Sequence, residues 1–323
     1  MGSIDTSRGD ATIFKSSAPL TGGKRLRELL KDPSKVVVCP GVFEGLTARL
    51  AIAAGFDAMY MTGAGTSMSR LGWADLGMAT LNDMRSNAEM IASLDPSVPL
   101  IADADTGYGG PIMVTRTVTQ YARSGVAALH IEDQACRQDT QVQEKRCGHL
   151  MGKQIVDRDV YYSRLRAAVA TRDSLQSDML IIARTDANQT YGFDEAIERL
   201  QEAVRIGVDI VFFEAIKTKE EAVKICKIFE GTPCLLNVVP GGVTPLSTVD
   251  EARECGFRIV IYPGLCMEPM ISSVRKELQV LKKTGQPSPS DPESGVRAAF
   301  VLAGLEECMA IDKLAGGKAY TGV

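Results

Sequence analysis

Short apolar runs rich in β-branched residues alternate along this chain with amphipathic stretches, separated by polar or glycine-bearing turns. Eight of these runs predict strands: Val36–Val42, Ala58–Gly63, Leu100–Asp105, Ala128–Asp133, Met179–Asp186, Ile210–Ala215, Cys234–Val239 and Phe257–Pro263. Each is followed by a helical pattern, such as "DEAIERLQEAVRIG" after the fifth and "KEEAVKICKIFEG" after the sixth. Their charged residues fall on one face and Ala, Leu, Val and Ile on the other. Glycine closes several of these helices just before the next strand, as in "AIAAGFDAMYM", "VRIGVDIVFF" and "ARECGFRIVIY", where a left-handed C-cap is needed. Regular alternation of strand and helix means parallel pairing, and eight units predict an α/β fold, the (β/α)8 TIM barrel. A doubly wound open sheet is the competing reading; it has fewer strands and a glycine-rich first turn, which this chain lacks.

No internal repeat interrupts the pattern, so one catalytic domain is expected over 23–283, after a flexible tail at 1–22. The polar "TGQPSPSDPESG" opens a C-terminal segment, 284–323, whose helix "VRAAFVLAGLEECMAIDKL" is apolar on more than one face. Such a helix is expected to pack against something besides its own barrel. The bulk composition narrows the function classes further. The 323 residues are 45% hydrophobic and 24% charged with a net charge of −4, so neither nucleic acid nor an anionic membrane is an expected partner. No apolar run nears the ~20 residues of a membrane span. "MGSIDT" fits a loose myristoylation pattern without the basic stretch that would supply a second anchor. Eight scattered cysteines, none in a CxxC pair, read as reduced thiols, so Asn188 of "NQT" is a glycosylation signal only on paper. The expected location is intracellular and cytoplasmic; a mitochondrial or peroxisomal one is also compatible.

Candidate chemistry gathers at the C-terminal ends of the strands, where barrels of this kind carry their active sites. The third strand ends with Asp103 and Asp105, whose two-residue spacing predicts one shared side. The fourth ends with Glu132 and Asp133, the fifth with Arg184 and Asp186, the sixth with Glu214 and the seventh with Asn237. Clustered carboxylates repel unless something positive lies between them. A hard cation bound through oxygens and water answers this, Mg²⁺ before Ca²⁺. Zinc would want Cys or His at ligand spacing, and Cys147 with His149 is the one close pair. No predicted strand holds a lysine for a Schiff base. The stretch "EKRCGHLMGK" places Cys147 behind Lys145 and Arg146; by itself it allows a metal ligand, a nucleophile, a proton carrier or a packed residue.

In order, "YMTGAG", "ADLG", "DADTGYG", "IEDQ", "KRCGH", "ARTDA", "FEA" and "LLNVV" resemble the isocitrate lyase/PEP mutase superfamily from about Pro40 to Gly317. The resemblance is strongest to its 2-methylisocitrate lyase, 2,3-dimethylmalate lyase and oxaloacetate acetylhydrolase branch. It implies a barrel whose Mg²⁺ (Mn²⁺ as a substitute) is held through Asp103, Asp105 and Glu132, partly by way of water. The implied substrate is a small 2-hydroxy or 2-oxo carboxylic acid. Its C1 carboxylate would meet backbone donors at Thr62, Gly63 and Ala64, with Asp75 completing the metal side. Arg184 would grip substrate oxygens as a bidentate fork, Glu214 and Asn237 would frame the rest, and Tyr60 would stand near the C2 oxygen. Cys147, flanked by Lys145, Gly148 and His149, would protonate the enolate-like fragment, its thiol drawn towards neutrality by nearby cations. The family also implies a homotetramer with swapped C-terminal helices.

Two departures bear on the substrate. Ten residues, "ACRQDTQVQE", separate Gln134 from Lys145 where close relatives have three or four, and Pro240 stands where lyases of the branch carry Glu. Cys147 argues against a mutase, whose loop has Asn/Ser-type residues. Pro263 ends the eighth strand, where lyases have proline and oxaloacetate acetylhydrolases have serine. A carbon–carbon lyase of the 2-methylisocitrate or 2,3-dimethylmalate type is therefore expected ahead of an oxaloacetate acetylhydrolase. A catalytically inactive barrel with a binding role fits less well, because every metal and thiol position is filled.

Overall fold

All eight apolar runs become parallel strands, trimmed by one or two residues at an end. The computed structural model describes residues 20–135, 152–245, 248–289 and 295–320. In chain order come α1 (Gly22–Lys31), β1 (Val37–Val42), α2 (Gly45–Ala53), β2 (Met59–Met61) and α3 (Gly63–Thr66). A π-helical turn (Ser67–Leu71) leads to α4 (Leu81–Leu94), β3 (Leu100–Asp103), α5 (Pro111–Arg123) and β4 (Ala128–Glu132). The second half adds α6 (Arg158–Ser174), β5 (Leu180–Thr185), α7 (Ala187–Thr190), α8 (Phe193–Ile206) and β6 (Ile210–Phe213). Then follow α9 (Lys219–Ile228), β7 (Cys234–Asn237), α10 (Val249–Cys255), β8 (Ile259–Tyr262), α11 (Met267–Thr284), α12 (Val296–Leu302) and α13 (Leu305–Leu314).

The strands close into one barrel in sequence order, β8 pairing back onto β1 with Val37 opposite Ile259 and Pro40 opposite Tyr262. Alternate strand residues face inwards or outwards, which splits the core in two. Inward residues such as Val37, Ile101, Ile182, Phe212, Leu235 and Ile261 fill the barrel, joined by Leu26 and Leu29 of α1, which closes the end where the strands begin. Outward residues such as Met59, Leu129, Ile181 and Val211 pack under the helical ring with Met84, Val118, Leu165 and Leu200. Each such buried Leu or Ile stabilises the fold by about 1.5–3 kcal/mol. Capping boxes at Thr80/Asp83 and Thr248/Glu251 fix where α4 and α10 start. Gly207 and Gly256 end α8 and α10 in the left-handed conformation that their sequence positions predict.

One expectation needs correction. The last predicted helix is two helices, because Gly304 takes φ 92° between α12 and α13. Arg49 of α2 pairs with Glu307 of α13 at 3.0 Å. Helix α11 buries no residue, and Met270, Ile271, Val274, Leu278 and Leu281 lie exposed along it at helical spacing. Among the described residues no helix is long and apolar enough to cross a membrane.

Candidate active site

The third strand stops at Asp103, and the chain then turns through left-handed backbone at Asp105 (φ 50°), Gly107 (83°) and Tyr108 (61°). A side chain at 107 would meet Val114 Cγ2 at 2.5 Å, so the turn needs glycine there. Strand periodicity therefore does not bring Asp103 and Asp105 together, contrary to the expectation from their spacing. The turn does: the Asp105 N–H donates to Asp103 Oδ1 at 2.8 Å. Asp103 Oδ2 accepts the Gly63 N–H at 3.2 Å, and a Cβ at 63 would collide with that carboxylate. The Tyr121 hydroxyl donates to the Asp103 carbonyl at 2.8 Å and fixes the strand end.

On β4, His130 and Glu132 are two residues apart and both fully buried. The His130 Nε2 lies 2.9 Å from the Tyr60 hydroxyl and 3.6 Å from Asp103 Oδ1. Its ring stacks on Tyr60 and meets Phe212 edge-on. His130 was not singled out from sequence, although its two-residue spacing from Glu132 in an otherwise apolar strand was the available signal. Glu132 accepts from Gln134 Nε2 at 2.9 Å and pairs with Arg184 Nη1 at 3.0 Å.

Arg184, near the end of β5, is ringed by acids. Its Nε and Nη2 fork onto Asp186 at 2.9 and 3.1 Å, and Glu214 lies 3.9 Å away. Its guanidinium sits 5.0 Å over the Phe212 ring. In this structure the bidentate grip expected on substrate is made on Asp186. The Lys153 ammonium also pairs with Asp186, with both side chains buried. Burial opposes the charged Asp186, but Arg184 and Lys153 together hold its pKa below the ordinary carboxylate range. Next to it, Asp133 accepts from Thr185 Oγ1 at 2.5 Å, the Asp186 N–H at 2.8 Å and Arg199 at 3.2 Å. Burial and the neighbouring Asp186 charge push Asp133 up to about 6. Lys153 carried no signal of its own, since it lies outside the strands.

The Thr62 N–H donates to the Val42 carbonyl at 3.1 Å and the Gly63 N–H to Asp103, so two of the three expected backbone donors are engaged within the protein. Asp75 is buried in the loop before α4. Asn237 Nδ2 donates to Glu214 Oε2 at 3.1 Å, and both line a cleft of about 290 Å³ with Gln189, Pro240 and Val243. Pro263 directly follows β8, half-buried. Lys145, Cys147, Gly148 and His149 lie outside the described residues.

Seven carboxylates are buried among the described residues (Asp75, Asp103, Asp105, Glu132, Asp133, Asp186 and Glu214) against four cations, Lys153, Arg164, Arg184 and Arg199. Buried carboxylates gathered in this way offer oxygen donors to a further cation. No three Asp, Glu, His or Cys groups among the described residues converge as a direct metal cage. One or two carboxylates with several waters is the manner in which Mg²⁺ binds, and the donor set fits that ion.

This is a (β/α)8 barrel with an acidic, arginine-bearing mouth at the C-terminal ends of its strands. Residues 26–282 match the family described as phosphoenolpyruvate phosphomutase, and the chain belongs to the PEP mutase/isocitrate lyase superfamily, whose members are enzymes. It is 42% identical to the 2,3-dimethylmalate lyase of Eubacterium barkeri over 74% of this chain and 78% of that one. It is 39% identical to the 2-methylisocitrate lyase of Aeropyrum pernix over 81% and 80%. Among solved structures, a 2,3-dimethylmalate lyase superposes with TM-score 0.89 at 50% identity, covering 94% of this chain and 99% of the other. An oxaloacetate acetylhydrolase bound to 3,3-difluorooxalacetate gives TM-score 0.89 at 49% identity, covering 94% and 100%. A phosphonopyruvate hydrolase holding oxalate and Mg²⁺ gives 0.77 at 26%, covering 91% and 99%.

Proposed function

We propose that this chain is a Mg²⁺-dependent carbon–carbon lyase that cleaves a 2-hydroxy di- or tricarboxylate, of the 2,3-dimethylmalate or 2-methylisocitrate type, to a 2-oxo acid and a carboxylate. The observation that carries the reading is the set of buried strand-end carboxylates at the barrel mouth, three of which, Glu132, Asp186 and Glu214, face Arg184. Asp103, Asp105 and Glu132 would hold Mg²⁺ (or Mn²⁺), in part through water. When bound, the ion supplies positive charge to the C1 carboxylate and the C2 oxygen.

The protein's own groups do the rest. Arg184 shares the negative charge of the C2 oxygen as it becomes a carbonyl. Ala64 offers a backbone donor to the C1 carboxylate, with Thr62, Gly63 and Asp75 shaping that side; Glu214, Asn237 and Pro263 bound the far end. Tyr60 receives the C2 hydroxyl proton as its own phenol proton passes to His130 Nε2, its hydrogen-bond partner at 2.9 Å. The C2–C3 bond then breaks, its electron pair passes to the C3 fragment, and Cys147 returns a proton to that carbon. One proton leaves oxygen and one arrives on carbon, so the reaction is neutral in protons once Tyr60 and Cys147 re-equilibrate. Lys145 and Arg146 favour the thiolate left behind, with Gly148 and His149 completing the motif.

The oxaloacetate acetylhydrolase structures at 46–49% identity favour one second reading, hydrolysis of oxaloacetate to oxalate and acetate. A panel of 2,3-dimethylmalate, 2-methylisocitrate, isocitrate, citramalate and oxaloacetate, run with Mg²⁺ and with EDTA, separates the two. Pyruvate or glyoxylate release supports the lyase, and oxalate plus acetate the hydrolase; turnover that persists in EDTA contradicts both. Replacing Cys147→Ala is expected to lower kcat by about 10²–10⁴, and an unchanged rate would remove Cys147 from the mechanism. We also propose a homotetramer in which the arm from 284 onward crosses to a neighbour, supported by the uncovered apolar stripe of α11.

A further inference from the structure

We propose that Lys153 is a positioning residue of the anion site: its buried ammonium shares Asp186 with Arg184, and thereby sets the orientation of the guanidinium and the charge balance around it. The inference rests on the function proposed above. Three carboxylates, Asp186, Glu132 and Glu214, face the single Arg184 guanidinium at 2.9, 3.0 and 3.9 Å. With those charges alone, an arriving carboxylate would meet a net negative patch. Lys153 lessens that imbalance, because it pairs with the same Asp186 Oδ1 that accepts Arg184 Nη2. Less of the Arg184 charge is then taken up by its own support.

The chain path adds a second reason. Lys153 stands six positions after Cys147. Just beyond it the backbone is pinned to the end of β4: the Ala135 N–H donates to Gln154 O at 2.8 Å and the Val156 N–H to Asp133 O at 2.9 Å, around an antiparallel bridge between Gln134 and Ile155. The same foot is held from α8, where Arg199 donates to the Val156 carbonyl at 2.9 Å and to Asp133. The segment that leaves the thiol motif therefore delivers its amine to the carboxylate that orients Arg184, from a backbone with little freedom to move it. A buried lysine is a costly group unless it is paired, and here the pairing supports Arg184, the cation proposed above to bind substrate oxygens.

The test uses the full chain with Mg²⁺ and compares wild type, Lys153→Met and Lys153→Arg. Oxalate affinity is read by calorimetry, kcat and KM on whichever panel substrate the wild type turns over, and Tm by thermal unfolding. Lys153→Met is expected to weaken oxalate binding and raise KM by about tenfold, with a smaller change in kcat, and Lys153→Arg to restore most of the loss. In an Asp186→Asn background the Met substitution should have no further effect on oxalate. Wild-type oxalate affinity in a folded Lys153→Met protein overturns the proposal. So does a fall in Tm with oxalate affinity unchanged, which marks a merely structural lysine. If the wild type turns over none of the panel, the lyase and hydrolase readings fail, and the oxalate arm still decides the role of Lys153.

Discussion

The barrel mouth and the C-terminal arm break the usual inside–outside rule in opposite directions. The mouth buries charge: Glu132, Asp133 and Asp186 are fully inaccessible, yet each is met by a cation or a hydrogen-bond donor. Helix α11 and the arm that follows it expose apolar surface instead. Helices α11, α12 and α13 bury no residue, and Leu278, Val296, Phe300 and Leu314 are each more than half exposed. Buried charge is retained where electrostatics must act on a ligand in a low dielectric. Exposed apolar area of this extent suits the subunit contact proposed above. One departure therefore points to chemistry and the other to assembly, and the two should respond to different perturbations.

The largest expected effect falls on the arm. Removing residues 290–323 should convert a tetramer to monomer or aggregate, read by light scattering on a sizing column; an unchanged tetramer would show that the arm's apolar face has no partner. In the mouth, Gly63→Ala forces a Cβ into the Asp103 carboxylate. It should lower kcat/KM by about tenfold or more and raise the Mg²⁺ concentration for half-maximal rate, while leaving oligomeric state alone. Equal Mg²⁺ response in the two proteins would separate Asp103 from the ion.

The smallest effect is at the mouth's outer rim. Glu195 joins Arg158 outside to Arg199 inside, and these guanidinium groups, Arg158 first, hold it down at about 2 from an ordinary 4.5. A lowered carboxylate pKa stabilises the fold above pH 4.5, and that stabilisation is lost as pH falls through about 2. The Tm difference between wild type and Glu195→Gln should accordingly be open at pH 7, narrow below pH 4.5 and shrink in high salt, since this pair is partly exposed. A gap independent of pH would mean that Glu195 acts through packing.

The strands were legible because each is a short apolar run closed by a polar residue, and the strand-end polar residues were legible for the same reason: they interrupt apolar patterns. His130 obeyed that rule too, but a single imidazole in a strand is as readily a packed core residue until Tyr60 and Asp103 are seen beside it. Asp105 was anticipated on a strand face and came to the site through a left-handed turn instead. Lys153 lies in no periodic element, so nothing local distinguishes it from a solvated lysine.

Sequence by itself therefore determined the eightfold strand–helix alternation, the barrel it closes into, and the carboxylates and arginine presented at one end. Those follow from side-chain period and from the exclusion of charge from apolar strands, which are local properties. Only the tertiary structure decided how the charges pair: that Arg184 forks onto Asp186, that Lys153 reaches the same carboxylate from 33 residues away, and that Gly63 cradles Asp103 across 40. The Lys153 and Gly63 pairings depend on which segments become neighbours when the barrel closes, and the Arg184 fork, only two residues away in sequence, on how the chain turns at the end of β5.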